Sequence, residues 1–246
     1  MFRNDRSARR GFLARLLGGA TAFGAAGLTV PGLELGGAPD GATDRAGEFD
    51  PALLETPGQE KSKWDMSWVD RLTGKYKQVF DAPEIAEGTV FHQVRLFTHH
   101  YAEVMGTTDT DTSAVMVIRH TAIPLALNDA LWDEFELGRE AKLKDPTTGR
   151  NARRHPFMHL KEDDKYSLSW PDGGLDTLIS KGAIVLACDL ALGRFAGEVM
   201  KKSGLSRDDA RKKVMDNLVP GVVVQPSGVF GVIRAQQAGC NYIRAT

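Results

Sequence analysis

Short apolar runs alternate with helical patterns along most of this chain. Runs rich in Val, Ile and aromatic residues predict five strands, at 76–80, 113–118, 184–187, 220–224 and 240–243. Apolar residues at helical spacing predict helices at 83–105, around 127–135, at 175–180, at 189–203, from 206, and from 228 to 238. Strands that alternate with crossover helices predict an α/β fold, a mainly parallel five-stranded sheet flanked by helices.

The stretch 138–174 lacks a firm pattern, and we interpret it as a long middle insertion. Long irregular segments of this kind often form lids or interface loops. Arg153, Arg154 and His155 could meet an anionic ligand there, although solvation is the simpler interpretation. The charge run 161–165 is also expected to be solvated.

Candidate chemistry concentrates where two buried strands end. Cys188 ends the third predicted strand and begins the next helix. Ligands bind at the carboxyl edge of open parallel sheets, and the helix dipole at that position favours a thiolate. His120 follows the second strand and could pair with the thiol, while Asp189 would help to orient the site. The alternatives are that Cys188 is a small buried hydrophobe and that His120 only satisfies loop backbone groups.

Three further polar residues belong to the same predicted edge. Arg119 and Thr121 flank His120, and Ser227 begins the last helix. We regard all three as candidate ligand-binding residues. For Ser227, an ordinary helix cap and an anion site are both consistent with the pattern.

The two cysteines are predicted to stay unpaired. Cys188 ends its strand, whereas Cys240 begins the last one, so parallel strands would place them at opposite edges of the sheet. A strand of ordinary length spans about 17 Å, and a disulfide requires Cα atoms within about 7 Å.

The histidines do not form a convincing metal site. His92, His99 and His100 lie on the first predicted helix without an acidic partner at ligand spacing. His155 and His159 have the four-residue spacing of a metal pair, but no helix is predicted there. We therefore predict neither a metal nor a cofactor.

The amino terminus resembles a twin-arginine (Tat) export signal. Arg9 and Arg10 precede a weakly apolar stretch, 16–28, that is rich in Gly and Ala. We interpret 1–45 as the signal and the start of a linker, which predicts a periplasmic or exported protein. No second membrane segment follows.

The next region, 46–74, is predicted to be a tether followed by a leader helix. Gly, Ala, Pro and charged residues dominate its first part without a sustained period. Trp64, Trp68 and Leu72 then share one helical face, which predicts packing onto the domain.

Composition excludes one class of partner. Of 246 residues, 31 are Lys or Arg and 32 are Asp or Glu, for a formal net charge of −1. Nucleic-acid-binding domains normally carry a basic footprint, so no nucleic-acid partner is predicted.

An ordered set of segments within 75–246 resembles the DsrE/DsrF-like (YchN-like) superfamily. The segments are Val117-Ile-Arg-His-Thr121, Leu186-Ala-Cys-Asp-Leu-Ala-Leu192, Leu218-Val-Pro-Gly-Val222, Pro226-Ser-Gly-Val229 and Ala235-Gln-Gln-Ala-Gly-Cys-Asn-Tyr-Ile243. The resemblance implies a five-stranded α/β domain that assembles as a trimer or hexamer. In sulfur-trafficking members, a cysteine after a central strand accepts sulfur as a persulfide and passes it to a partner, and Cys188 matches that position. Those members are cytoplasmic hetero-oligomers, whereas this chain carries an export signal, a leader helix and an insertion.

Three hypotheses follow. The first is an exported, DsrE-like persulfide carrier that handles sulfur through Cys188, with a sulfur-donor or sulfur-acceptor protein as partner. The second is a non-catalytic oligomeric protein of the periplasm that binds a small ligand or acts as a scaffold. The third is metal binding through histidines together with Cys188.

Overall fold

The computed structural model describes residues 63–166, 170 and 172–246. The predicted export signal and most of the predicted tether therefore lie outside the described residues. No helix within the described ranges is long and apolar enough to cross a bilayer.

Five parallel strands form one sheet, which confirms the predicted α/β fold. The strands are β1 (Tyr76–Ala82), β2 (Thr112–Ile118), β3 (Ile184–Cys188), β4 (Val222–Gln225) and β5 (Asn241–Arg244). Their order across the sheet is β4-β3-β2-β1-β5. Each pairing is parallel, so every strand has its carboxyl end at the same edge.

Seven α-helices connect and cover the described strands. They are α1 (Thr89–Met105), α2 (Asp129–Glu134), α3 (Leu137–Glu140), α4 (Leu175–Ser180), α5 (Asp189–Ser203), α6 (Arg207–Asp216) and α7 (Gly228–Gln237). Helix α5 ends at Gly204, which has a left-handed backbone. Helix α6 begins after Ser206, whose side chain accepts a hydrogen bond from Asp209 N. Both boundaries agree with the predicted ends of these helices.

The central strands β2 and β3 are buried on both faces, which explains their continuous apolar runs. Side chains alternate between two clusters, because successive residues of a strand point to opposite faces. On β2, Met116 and Ile118 belong to the larger core and Val115 and Val117 to the smaller one.

The predicted leader helix is shorter and tighter than expected. It is a 3₁₀ helix, Ser67–Arg71, rather than an α-helix. The predicted packing is confirmed, because Trp68 and Leu72 are 0% and 5% exposed within the smaller core. The backbone O of Asp65 accepts a hydrogen bond from Gln225 Nε2 at 2.8 Å, which ties this segment to the carboxyl end of β4.

The first long helix begins later than the pattern predicts. The expected start was at 83, but α1 begins at Thr89. Ala86, Glu87 and Gly88 have φ angles of 41°, 51° and 78°, and consecutive left-handed residues cannot continue an α-helix. A side chain at Gly88 would also meet the Phe157 ring at 2.5 Å.

Two expectations for 138–174 are wrong. His155 was expected to be solvated or to meet an anion, yet it is 0% exposed. Asp164 was expected to be solvated within its charge run, yet it is also 0% exposed. Arg154 explains the buried carboxylate, because it forms ion pairs with both Asp164 and Asp145, and buried charges require such partners.

Candidate functional site

A small cavity of about 70 Å³ lies at the carboxyl edge of the sheet. Its wall is built from the ends of β2 and β3 and the starts of α5 and α7. The lining residues are Arg119, His120, Cys188, Leu190, Ala191, Arg194, Ser227, Gly228 and Val229. Four of the six predicted site residues therefore meet here, as the parallel topology requires.

Cys188 lies in the wall of this cavity and is 7% exposed. It is the last residue of β3 and the N-cap of the 15-residue helix α5. Its sulfur therefore lies near the amino-terminal end of α5. The position predicted for this thiol is thus confirmed.

Cys240 lies apart from this site. Both cysteines are free, as predicted, and Cys240 precedes β5 at the opposite edge of the sheet. Burial raises the pKa of Cys240 to about 11, so its thiol stays protonated at neutral pH. It provides an internal reference for the reactivity of Cys188.

A buried ion pair holds Arg119 at the cavity. Its Nε and Nη2 donate to Asp81 Oδ1 and Oδ2 at 2.6 and 2.8 Å, while Nη1 lies outside this pair. Tyr242 OH donates to Asp81 Oδ2 at 3.0 Å. The hydrogen bonds to Asp81 raise the pKa of Arg119, and the nearby Cys188 sulfur adds to that rise. Arg119 is therefore a fixed cation within electrostatic range of the thiol.

The start of α7 fits closely against Arg119. A Cβ atom at Gly228 would lie 2.5 Å from Arg119 Cδ and 2.6 Å from Arg119 Cβ. Glycine at this position therefore allows the arginine stem and the helix to pack together. Ser227 Oγ accepts a hydrogen bond from Phe230 N at 3.1 Å, which makes Ser227 a helix cap that also lines the cavity.

His120 is exposed and lines two neighbouring cavities. It begins the 3₁₀ helix His120–Ala126 with a left-handed φ of 51°. It lines both the thiol cavity and a neighbouring groove of about 830 Å³. Its imidazole is therefore accessible from both spaces.

The remaining two predicted residues do not join the cavity. Thr121 lines the larger groove, and its Oγ1 donates to Pro83 O at 3.1 Å. Asp189 forms an ion pair with Arg211 of α6 and lines a separate groove between α5 and α6. The expectation that Asp189 helps to orient the site does not match this geometry, because its carboxylate pairs with Arg211 instead of facing the cavity.

Sequence reasoning missed Arg194 and Asp81. Arg194 lies on the same face of α5 as Leu190, four residues earlier, and both line the cavity. Asp81 lies near the end of β1 and is only 3% exposed. Asp81 comes one residue after the predicted strand 76–80, so local pattern carried no signal for its burial or for its pairing with Arg119.

No metal site forms within the described ranges. His155 Nε2 hydrogen-bonds to Leu125 O at 3.1 Å, and its Nδ1 accepts from Phe157 N at 3.2 Å. His92 instead stacks on Trp170 with ring centroids 4.9 Å apart.

Comparisons with known proteins do not identify a family for this chain. No family model matches the chain, and no curated protein matches it. Among solved structures, a protein of unknown function from Methanobacterium thermoautotrophicum, MTH1491, is 20% identical over 69% of this chain and 98% of its own, with a TM-score of 0.35.

Proposed function

We propose that this protein handles sulfur through Cys188, as an exported DsrE-like persulfide carrier. The observation that supports the proposal is the convergence of a thiol, an imidazole and two guanidinium groups on one small cavity. The Cys188 thiolate attacks a sulfane sulfur, whose S–S bond breaks. The electron pair leaves with the displaced anion, and Cys188 is left as a persulfide.

Each neighbour has a role in this step. The cation of Arg119 stabilises negative charge on the sulfur of Cys188, since opposite charges in a partly buried site attract strongly. His120 accepts the thiol proton and returns a proton to the departing group. A sulfur-donor or sulfur-acceptor protein would approach through the open side of the cavity, where Leu190 is exposed.

The cellular location belongs to the same proposal. Arg9 and Arg10, followed by the Gly- and Ala-rich stretch, support twin-arginine export. Replacing both arginines with lysine should abolish appearance of the protein in the periplasm. Unchanged export of that variant would contradict the proposed twin-arginine export.

We also propose self-association through α7. Val229, Phe230 and Ile233 are 59%, 39% and 49% exposed and share one side of that helix. Exposed apolar patches commonly mark interaction sites, and a trimer or hexamer would cover this one. Ile233→Asp should lower the mass measured by sedimentation equilibrium, whereas Val104→Asp, on α1, should not. Equal masses for the wild type and both variants would contradict self-association through α7.

The alternative is a non-catalytic ligand-binding or scaffold protein. The 830 Å³ groove beside His120 favours it, because that volume suits a small organic ligand. In that case Cys188 is simply a buried apolar side chain.

Thiol reactivity separates the two functions. In the native protein, iodoacetamide at neutral pH should alkylate Cys188 but leave Cys240 unmodified until urea is added. Slow alkylation of both cysteines before unfolding would support the alternative instead.

A further inference from the structure

Arg194 is an unpaired cation at the mouth of the thiol cavity. It is exposed on α5, and it lines both the cavity and the larger groove. Within the described part of the chain it makes no ion pair or hydrogen bond. Glu198 lies four residues further on and could pair with it, but Glu198 binds Lys201 instead, at 2.9 Å.

The cavity wall is positive. Arg194 and Arg119 line it, and no carboxylate does among the described residues. Asp81 partly neutralises Arg119 but leaves Nη1 outside the ion pair. Cationic side chains that line a cavity without a carboxylate in its wall favour an anionic ligand.

The size of the cavity limits that ligand. A cavity needs roughly 10–15 Å³ to hold one water molecule, which has one non-hydrogen atom. The cavity of about 70 Å³ therefore admits a ligand of roughly five non-hydrogen atoms. A small sulfur oxyanion matches this size.

We infer that the cavity selects a thiosulfate-like anion as sulfur donor, and that Arg194 determines this selectivity. The inference rests on the proposed function. The Cys188 thiolate attacks the outer sulfur of thiosulfate, and the S–S bond breaks. Sulfite leaves with the electron pair, so Cys188 becomes a persulfide anion without any added oxidant or reductant. Arg194 and Arg119 hold the oxygen atoms of the donor and stabilise the charge on departing sulfite.

Two donors of similar size and different charge test the inference. Thiosulfate is anionic and dimethyl trisulfide is neutral, and each has about five non-hydrogen atoms, the number that the cavity admits. Thiosulfate should leave a persulfide on Cys188 and release sulfite, whereas dimethyl trisulfide should leave a methyl disulfide or methyl trisulfide and release the complementary methyl persulfide or methanethiolate. Mass spectrometry of the peptide with Cys188 distinguishes these products and measures the rate at which each donor modifies the thiol. Arg194→Gln should lower the thiosulfate rate relative to the trisulfide rate by about three- to fivefold, the effect of removing one exposed charge. Added salt should slow only the thiosulfate reaction.

Arg150→Gln is the matched control, because it removes the same charge from an exposed turn outside both cavities. Its rate ratio should equal that of the wild type. Modification of Cys188 by the trisulfide but not by thiosulfate, or an unchanged rate ratio in Arg194→Gln, would overturn this inference and leave the proposed function standing. If neither donor modifies Cys188, both fail.

Discussion

His155 shows how one buried residue can control stability. It is 0% exposed, and this burial lowers its pKa to about 4. The hydrogen bond to Leu125 O acts in the opposite direction and raises the pKa, but by less. The folded protein therefore holds a neutral imidazole between about pH 4 and 6.5, while the unfolded chain binds a proton.

The free energy of unfolding should consequently fall as the pH is lowered from 6.5 towards 4. Its slope approaches about 1.4 kcal/mol per pH unit, for a total loss of up to about 3 kcal/mol. Urea unfolding at several pH values measures this dependence. His155→Gln should remove most of the slope, whereas His99→Gln, at an exposed position, should retain it. A wild-type stability that is constant across this interval would refute the interpretation.

Gly228 tests the packing behind the thiol cavity. A methyl group there would overlap the Arg119 stem, so Gly228→Ala should destabilise the protein by about 1–3 kcal/mol. Gly193→Ala is the comparison, because a Cβ at Gly193 meets nothing within 4 Å. That change should stabilise α5 by about 0.5–1 kcal/mol. Equal stability of the two variants would show that the contact is not restrictive.

At the scale of elements, the start of α7 forms one wall of the cavity. Ser227 and Ser206 both accept a hydrogen bond from a backbone N–H at the start of a helix. Either serine-to-alanine change should therefore cost about 1 kcal/mol of stability. Only Ser227 lines the cavity, however.

Ser227→Ala should therefore also change access to Cys188. Fraying of α7 opens the wall, and iodoacetamide should alkylate Cys188 about three- to fivefold faster, in line with a local loss of about 1 kcal/mol. Ser206→Ala serves as the equally destabilised control with an unchanged rate. Identical rates in both variants would mean that the cap does not govern access.

The elements differ in how well their sequence predicts them. The buried strands β2 and β3 have continuous apolar runs, so their positions follow from local pattern. The late start of α1 depends on three consecutive left-handed residues, the last of which, Gly88, lies against Phe157, far along the chain. Local pattern carries no signal for such contacts.

At the scale of the molecule, topology predicts the site better than composition does. Because all strands are parallel, Cys188, His120 and Arg119 had to meet at one edge. The predicted position of Asp189 was wrong because its side chain points towards α6, where it pairs with Arg211. Arg194 was missed because its importance depends on its having no ion-pair partner among the described residues, which is visible only in three dimensions.

The central claim is that Cys188 carries sulfur while Cys240 does not. The most direct test is to treat the native protein with inorganic polysulfide and to locate added sulfur by peptide mass spectrometry. We predict a mass increase of one sulfur atom on the peptide with Cys188 and none on the peptide with Cys240, whose thiol stays protonated. Equal modification of both cysteines, or none on Cys188, would contradict the account.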